Sequence, residues 1–113
     1  MVKRSSIFAL PSGTDPDEFW KYHTEVHAAD VVGAAGSRLK KYVINRFNEI
    51  VSGESTCFGF TEVWWENEKA MYEAYEDYKI YTTPDGEKKN VGNDFYSRVI
   101  NICTGQIDEK IVL

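Results

Sequence analysis

The chain has 113 residues, of which 42% are apolar, 14% aromatic and 27% charged, and its formal net charge is −5 at pH 7. This length fits one domain, 1–113, and the composition is that of a folded protein rather than a disordered one. Basic residues are scattered apart from Arg38-Leu39-Lys40-Lys41, and this argues against nucleic-acid binding.

The first predicted element is a strand over residues 2–10, which ends at the turn Pro11-Ser12-Gly13. Basic residues precede its apolar residues, as they do in a secretory signal. However, the apolar run is too short for a signal, and Ser5 and Ser6 interrupt it. We therefore expect a cytoplasmic protein that starts directly on a strand.

A helix with strong start signals follows the first turn. Asp15 is the predicted cap, Pro16 takes the first helical position, and Glu18 completes a capping box. Apolar and aromatic residues then recur at helical spacing as far as Asp30, where the helix is predicted to end. The chain should then leave the helix through the segment Gly33-Ala34-Ala35-Gly36.

The rest of the chain predicts two strands, a second helix and a final strand. The predicted elements are strands over 39–47 and 57–65, a helix from Glu68 to about Lys79 capped by Asn67, a helical turn over 94–97 and a strand over 99–103. Segment 82–93 is the longest predicted loop, and we expect it to be mobile. Residues 107–113 form an apolar tail.

The order βαββαβ predicts an α+β, ferredoxin-like fold, in which two helices pack on one face of a four-stranded antiparallel sheet. Alternation along strand 57–65 separates two sets of residues. One set is Cys57, Gly59, Thr61, Val63 and Trp65, and the other is Phe58, Phe60, Glu62 and Trp64. Both sets are largely apolar, yet the helices can cover only one face. We therefore expect a homodimer, with the C-terminal tail as a possible arm.

Three segments in this order resemble the EthD family of dimeric α+β barrels. They are Phe19 to His27, Leu39-Lys40-Lys41-Tyr42-Val43-Ile44-Asn45-Arg46 and Gly59-Phe60-Thr61-Glu62-Val63-Trp64-Trp65. The family pattern places an aromatic before a helical histidine, followed by Leu-x-x-Tyr-Val-x-Asn and Asp-Gly-x-x-Glu-x-Trp-Phe strands. Two positions depart from that pattern: Phe58 replaces an aspartate, and His23 replaces an aromatic residue.

The resemblance implies a function as well as a fold. Similar proteins include muconolactone methylisomerases and fungal polyketide decarboxylases or dehydratases, which work without a cofactor. We accordingly expect a lyase or isomerase that moves protons on an aromatic, lactone or polyketide-like molecule, and we expect no cofactor. Two alternatives stay open: a non-catalytic ligand-binding or accessory protein, and a monooxygenase that is cofactor-free or acts on haem.

Three residues are the predicted catalytic groups. His27 matches the helical histidine of the family and would act as the general acid or base; the alternative is a structural histidine near a helix end. Glu62 stands among aromatic residues and would be a perturbed acid, unless it forms a salt bridge with Arg46 or Lys40. Tyr42 would donate a hydrogen bond to a substrate oxygen, or else it is a cross-strand aromatic residue.

Six further residues are predicted to bind the substrate. They are His23, Asp30, Tyr22, Trp20, Phe60 and Trp64. Asp30 would orient His27 or merely end the helix, and His23 would line the pocket or belong to the core. The four aromatic residues would form apolar walls, although an aromatic stripe is more often plain core.

Metal binding is the minor interpretation of the two histidines. His23 and His27 have the i, i+4 spacing of a chelating pair, with Asp30 or Glu62 as a further ligand, but no sequence pattern supplies a complete set. Cys57 and Cys103 lack a Cys-x-x-Cys spacing, which indicates reduced cysteines rather than a zinc site or disulfide. No glycine-rich loop opens a helix, so no nucleotide is expected.

Overall fold

Strands and helices follow the predicted order. The computed structural model describes residues 1–113, and its elements are β1 (Val2–Ala9), α1 (Pro16–Lys21), a π-helical segment (Tyr22–His27), α2 (Ala28–Ala35), a 3₁₀ turn (Gly36–Arg38), β2 (Leu39–Arg46), β3 (Cys57–Trp65), α3 (Glu68–Tyr78), β4 (Tyr81–Thr82), β5 (Lys88–Lys89), α4 (Val91–Tyr96) and β6 (Ile100–Ile107). None of these helices is long and apolar enough to cross a membrane.

The main sheet is antiparallel, with the strand order β2-β3-β1-β6, and the helices lie on one of its faces. This arrangement confirms the predicted ferredoxin-like fold. The Cα atoms span 38 × 38 × 18 Å, so the molecule is a slab with the thickness of one sheet and one helical layer. We call the sheet face under the helices the covered face and the opposite one the open face.

The first helical run is longer than predicted. Asp15 caps it as expected, since its carboxylate accepts hydrogen bonds from the Asp17 and Glu18 amides at 2.9 and 3.0 Å. The run continues past Asp30 to Ala35, so the predicted end at Asp30 is wrong. The helical run ends at Gly36, which has a φ of +59°.

A π-helical segment interrupts this run at Tyr22–His27. The Ala28 amide donates to the His23 carbonyl, five residues back, instead of four. The Thr24 hydroxyl donates to the Trp20 carbonyl at 2.8 Å, and that carbonyl would accept the Thr24 amide in an α-helix. This side-chain bond favours the wider turn, which holds both histidines of the chain. Such segments are frequent at functional sites.

A register shift in the sheet changes one predicted face. Phe8 pairs with Gly59 and Ala9 with Cys57, which leaves Phe58 as an extra residue between them. Phe58 therefore packs on the covered face, with its ring centroid 5.5 Å from that of Phe19. Its predicted place beside Glu62 is wrong because simple alternation does not allow for this irregularity.

Two groups of buried side chains hold the helices on the sheet. The first is Phe8, Phe19, Phe95 and Val99, and the second is Ala35, Trp65, Met71 and Ala74. The segment predicted as a long loop is more ordered than expected. Its first part belongs to a small hairpin, in which Tyr81 pairs with Lys89 and Thr82 with Lys88, and α4 already begins at Val91.

Candidate functional site

A cavity of about 330 Å³ lies between the helices and the covered face of the sheet. Members of both buried groups, Phe95 and Trp65, form part of its wall. Other lining residues are His23, His27 and Val31 from the first helical run, Thr61 and Val63 from β3, Tyr42 from β2, and Tyr75 and Tyr78 from α3. The volume and the mostly apolar surface of the walls are typical of a small-molecule site.

His23 is completely buried in this wall, with 0% of its surface exposed. Its ring lies 4.7 Å from the ring of Phe95 and 5.6 Å from that of Phe8, measured between centroids. Neither ring nitrogen has a hydrogen-bond partner in the protein. Burial, with a smaller contribution from His27, lowers the pKa of His23 to about 3, so the ring is neutral near pH 7.

His27 lies next to His23, with ring centroids 5.5 Å apart, and it stacks on Phe95 at 4.5 Å and 22°. It is 7% exposed, and its Nδ1 is buried without a partner. Burial lowers the pKa of His27 to about 4, although the nearby carboxylate of Asp94 acts in the opposite direction. His27 is therefore a neutral imidazole that can accept a proton, rather than an acid that titrates near pH 7.

A network on α4 fixes Phe95 against the two histidines. The Tyr22 hydroxyl donates to the Asp94 carboxylate at 2.5 Å, and Arg98 forms an ion pair with the same carboxylate at 3.2 Å. The Arg98 guanidinium also lies 4.0 Å from the centre of the Tyr22 ring. Tyr22, predicted to contact the substrate, has its hydroxyl committed to this network. Sequence reasoning missed Asp94 because it lies far from the histidines along the chain.

Asp30 is buried, and its carboxylate lies 2.9 Å from the Lys89 ammonium on β5. It makes no hydrogen bond with His27, so the predicted orienting contact is not formed in the structure. The ion pair instead fastens the β4–β5 hairpin to α2. Because Asn90 follows directly and lines the cavity, this contact holds one part of the wall in place.

Tyr42 is the second predicted catalytic residue that lies in the cavity wall. It faces the helices from β2, opposite Val63. Burial raises the pKa of its hydroxyl above the ordinary value, so the phenol is protonated and remains a hydrogen-bond donor at neutral pH. The structure thus brings His27 and Tyr42 to the same cavity.

Glu62 lies on the open face, away from both histidines. Its carboxylate is 2.8 Å from the Lys3 ammonium and accepts a hydrogen bond from the Asn45 side chain at 3.3 Å. The hydrogen bond from Lys3 lowers the pKa of Glu62, which is the opposite of the predicted desolvated acid. The prediction that Glu62 acts as a catalytic group together with His27 is wrong, because consecutive strand residues point to opposite faces and Thr61 takes the inner position.

Three predicted wall residues also lie outside the cavity. Phe60 packs on Phe47 at 5.7 Å, and Trp64 lies between the ammonium groups of Lys3 and Lys41 on the open face. Trp20 lies beneath the Arg46 guanidinium, 5.1 Å from its ring centroid. These placements correct their predicted grouping around His27: cations cover the rings of Trp20 and Trp64, and Phe47 covers that of Phe60.

Polar residues of β1 and β6 complete the cavity and were not predicted. The Ser6 hydroxyl lies 2.9 Å from the Thr104 hydroxyl and 3.2 Å from that of Tyr96. Arg4 also lines the cavity, two residues before Ser6 on the same face of β1. The sequence did contain a signal for these residues. Phe8 is a clear core residue, and the alternation of a strand places Ser6 and Arg4 on the same face of β1.

The histidine pair gains no third metal ligand from the fold. No group of three or more histidine, cysteine, aspartate or glutamate side chains is arranged to hold a metal ion. Chelation needs such convergence, because structural and catalytic zinc sites use at least three protein ligands.

Comparison with solved structures identifies the fold. An EthD family protein from Bacillus halodurans has 19% identity and a TM-score of 0.63, with 98% of this chain and 99% of that chain covered. The Arabidopsis thaliana protein At3g17210 has 15% identity and a TM-score of 0.63, with 100% and 97% covered. A mutant of SnoaB, a cofactor-independent oxygenase from Streptomyces nogalater, has 12% identity and a TM-score of 0.64, with 99% and 95% covered.

These similarities extend over the whole chain, and they confirm the predicted resemblance to the EthD family at the level of the fold. No protein-family model matches the sequence, and no curated protein matches it either. The chain therefore shares its fold with an EthD family protein and with an oxygenase that works without a cofactor.

Proposed function

We propose that this protein is a cofactor-free enzyme that removes a proton from an aromatic, lactone or polyketide-like molecule, with His27 as the general base. The observation that carries the proposal is the pair of neutral, buried histidines with unpartnered nitrogens in the wall of an apolar cavity. Buried polar atoms without partners destabilise a fold, so their presence favours a functional role.

A base with a depressed pKa suits a substrate that carries an acidic C–H or O–H group. Proton transfer to His27 creates an imidazolium next to an enolate or phenolate. The attraction between these opposite charges in the apolar cavity offsets the desolvation that lowers the pKa of the free histidine. Asp94 stabilises the same imidazolium through its negative charge. Tyr42, a protonated phenol in the cavity wall, would donate a hydrogen bond to the substrate oxygen.

His23 has a different role in this proposal. It contacts no solvent, and its ring packs between His27 and the Phe8 ring. We assign it to the wall beside the base, where its neutral ring positions His27 and adds no second charge. The Asp94 and Arg98 network, through Phe95, holds the opposite side of the His27 ring.

Hydrogen exchange tests this function before the natural substrate is known. The probe is 2-tetralone, a bicyclic ketone with acidic protons next to its carbonyl, incubated with the protein in D₂O at about pH 6. NMR follows the loss of those proton signals. The wild-type protein should accelerate the exchange in a saturable manner, and His27→Gln should reduce the acceleration by about 10² or more.

The matched control is Glu25→Gln, because Glu25 is an exposed residue of the same π-helical segment. This variant should exchange at the wild-type rate. Equal rates for His27→Gln and the wild type would refute the general base. Saturable binding of 2-tetralone without any accelerated exchange would favour the non-catalytic ligand-binding alternative.

The proposal includes a homodimer formed through the open face. Only 18 of 113 residues are buried in the single chain, and apolar residues such as Ile7 and Ile107 are each 39% exposed on the sheet. Ile7 belongs to a central strand, and burial of such an exposed apolar side chain against a second copy of the chain is favourable. Light scattering should give twice the chain mass of 13.0 kDa, and Ile7→Glu should yield a monomer. A monomeric wild type would contradict this.

A further inference from the structure

The cavity has an unusual charge for a protein that is acidic overall. The chain contains 18 acidic residues and has a net charge of −5. None of them lines the cavity, whereas two basic residues, Arg4 and Lys79, do. Lys79 is paired with Glu76 at 3.0 Å. Arg4 is therefore the cavity's source of uncompensated positive charge.

Arg4 differs from every other arginine of this chain. Arg38, Arg46 and Arg98 each form an ion pair with an aspartate, at 2.6, 3.0 and 3.2 Å respectively. Arg4 has no carboxylate partner. Its Nη2 donates one hydrogen bond to the Tyr72 hydroxyl at 3.3 Å, and its Nε is buried without a partner. Arg4 as a whole is half-buried and lines the cavity, so its partly desolvated, incompletely bonded guanidinium is available for an anionic ligand there.

The surroundings of Arg4 favour a planar anion. The guanidinium carbon lies 5.7 Å from the ring centres of both Tyr72 and Tyr75, which restrain its position by cation–π contacts. A guanidinium offers parallel N–H donors that match the two oxygens of a carboxylate. The partly desolvated position strengthens such a bond relative to one in water.

The position of Arg4 along β1 defines the shape of the ligand. Arg4, Ser6 and Phe8 alternate along the covered face, and His23 packs on Phe8. At the rise of a β-strand, the Cα atoms of Arg4 and Phe8 lie about 13 Å apart. The arginine and the histidine pair therefore mark opposite ends of the cavity, with the Ser6 and Thr104 hydroxyls between them.

We infer that the cavity binds an aromatic carboxylate, whose carboxylate group pairs with Arg4 and whose ring system extends toward His23 and His27. This inference rests on the proposed function only in taking the same cavity as the substrate site. It narrows the substrate class from aromatic molecules in general to aromatic acids.

The test compares two probes of the same shape, 2-naphthoate and the neutral 2-naphthamide, by calorimetric titration. The wild-type protein should bind 2-naphthoate about tenfold more tightly or better. Arg4→Gln should remove this preference and leave the affinity for 2-naphthamide nearly unchanged. Arg46→Gln, which removes an arginine outside the cavity, should retain the preference.

A direct measurement on the wild-type protein makes the test independent of how the variant folds. The Nε–H resonance of Arg4 should shift on addition of 2-naphthoate and stay in place with 2-naphthamide. Equal affinity for the two probes, an unmoved Arg4 resonance or no saturable binding of 2-naphthoate would overturn the inference. Neither probe has an acidic C–H bond, so failure of the proton-transfer proposal is recognised separately, by 2-tetralone exchange.

Discussion

The two faces of the sheet differ in whether their polar side chains have hydrogen-bond or ion-pair partners. On the open face, Lys3 bridges Glu62 and Glu109 at 2.8 and 2.7 Å, and its charge also covers the Trp64 ring. On the covered face, both nitrogens of His23 and the Nδ1 of His27 are buried without partners. Charged groups that are satisfied stabilise a surface, whereas unsatisfied polar groups next to a cavity indicate a site awaiting a ligand.

The largest expected difference between the faces concerns two consecutive residues of β3. Thr61 lines the cavity, and Glu62 lies on the open face. Thr61→Phe places a ring in the cavity, so it should reduce 2-tetralone exchange by about 10² or more, because a displaced substrate loses its alignment with the base. Glu62→Gln should leave the rate within about threefold of wild type. A large loss of exchange in Glu62→Gln, with a wild-type rate in Thr61→Phe, would indicate that the site lies on the open face.

Acid should act on the covered face first. In the unfolded chain, the histidines protonate near pH 6.5, but in the fold their pKa values are about 3 and 4. The unfolded state therefore binds more protons than the folded state between pH 6.5 and 4. As the pH is lowered through this range, the free energy of unfolding should decrease by up to about 2.7 kcal/mol per pH unit for the two groups together. Glu62 has a lowered pKa in the fold. Its stabilising contribution to the folded state is therefore complete above its ordinary pKa and is lost as the pH falls below that value.

Urea unfolding at a series of pH values measures this loss. His23→Phe should reduce the slope between pH 6 and 4 by about half, because one of the two buried imidazoles no longer takes up a proton on unfolding. Glu62→Gln should leave the slope unchanged between pH 6 and about pH 5, which lies above the range in which the Glu62 carboxyl protonates in the unfolded chain. A wild-type stability that is constant over this range would mean that the histidines are exposed or paired in solution.

Replacing His23 should stabilise the protein. His23→Phe substitutes a ring of similar shape that has no unsatisfied nitrogens, in a site already formed by Phe8, Phe19 and Phe95. We expect a gain of about 1 kcal/mol at pH 7, since a buried polar atom without a partner costs about 1 to 3 kcal/mol. Chemical denaturation measures the gain, and a marked loss would indicate a partner for His23 in solution.

The smallest expected effect lies on the open face. The Glu62 carboxylate is 27% exposed and shares its charge with Lys3 and Asn45. Glu62→Gln keeps the shape and one acceptor oxygen and removes one charge of a partly exposed ion pair, so the free energy of unfolding should change by less than about 1 kcal/mol. A larger destabilisation in the same denaturation experiment would show that this ion pair is buried by a partner chain.

The order of elements was predictable because each strand and helix carries local signals. The Asp15 and Asn67 caps and the span of β3 coincide with the prediction, since they depend on nearby residues alone. The end of the first helical run was not predictable. Gly33 was interpreted as a breaker, but it is a packing position where any side chain would meet the Tyr81 hydroxyl.

The site was only partly predictable, for a related reason. His27 and Tyr42 were identified through the family resemblance and reach the same cavity. Glu62 was assigned to the wrong face, because period-two alternation says which residues share a face and not which face the helices cover. Asp94 became visible only through its hydrogen bond with the distant Tyr22, whereas Arg4 shares the alternation of Ser6 and Phe8 along β1 and was not singled out.

The central claim is that the covered face holds a neutral histidine base in its ligand cavity. The chain contains two histidines, so a long-range proton–nitrogen NMR spectrum of the imidazoles resolves both of them. At about pH 6, both histidines should give the pattern of neutral rings, and the His27 signals should shift when 2-tetralone is added. An imidazolium pattern at that pH, or His27 signals unaffected by the probe, would contradict it.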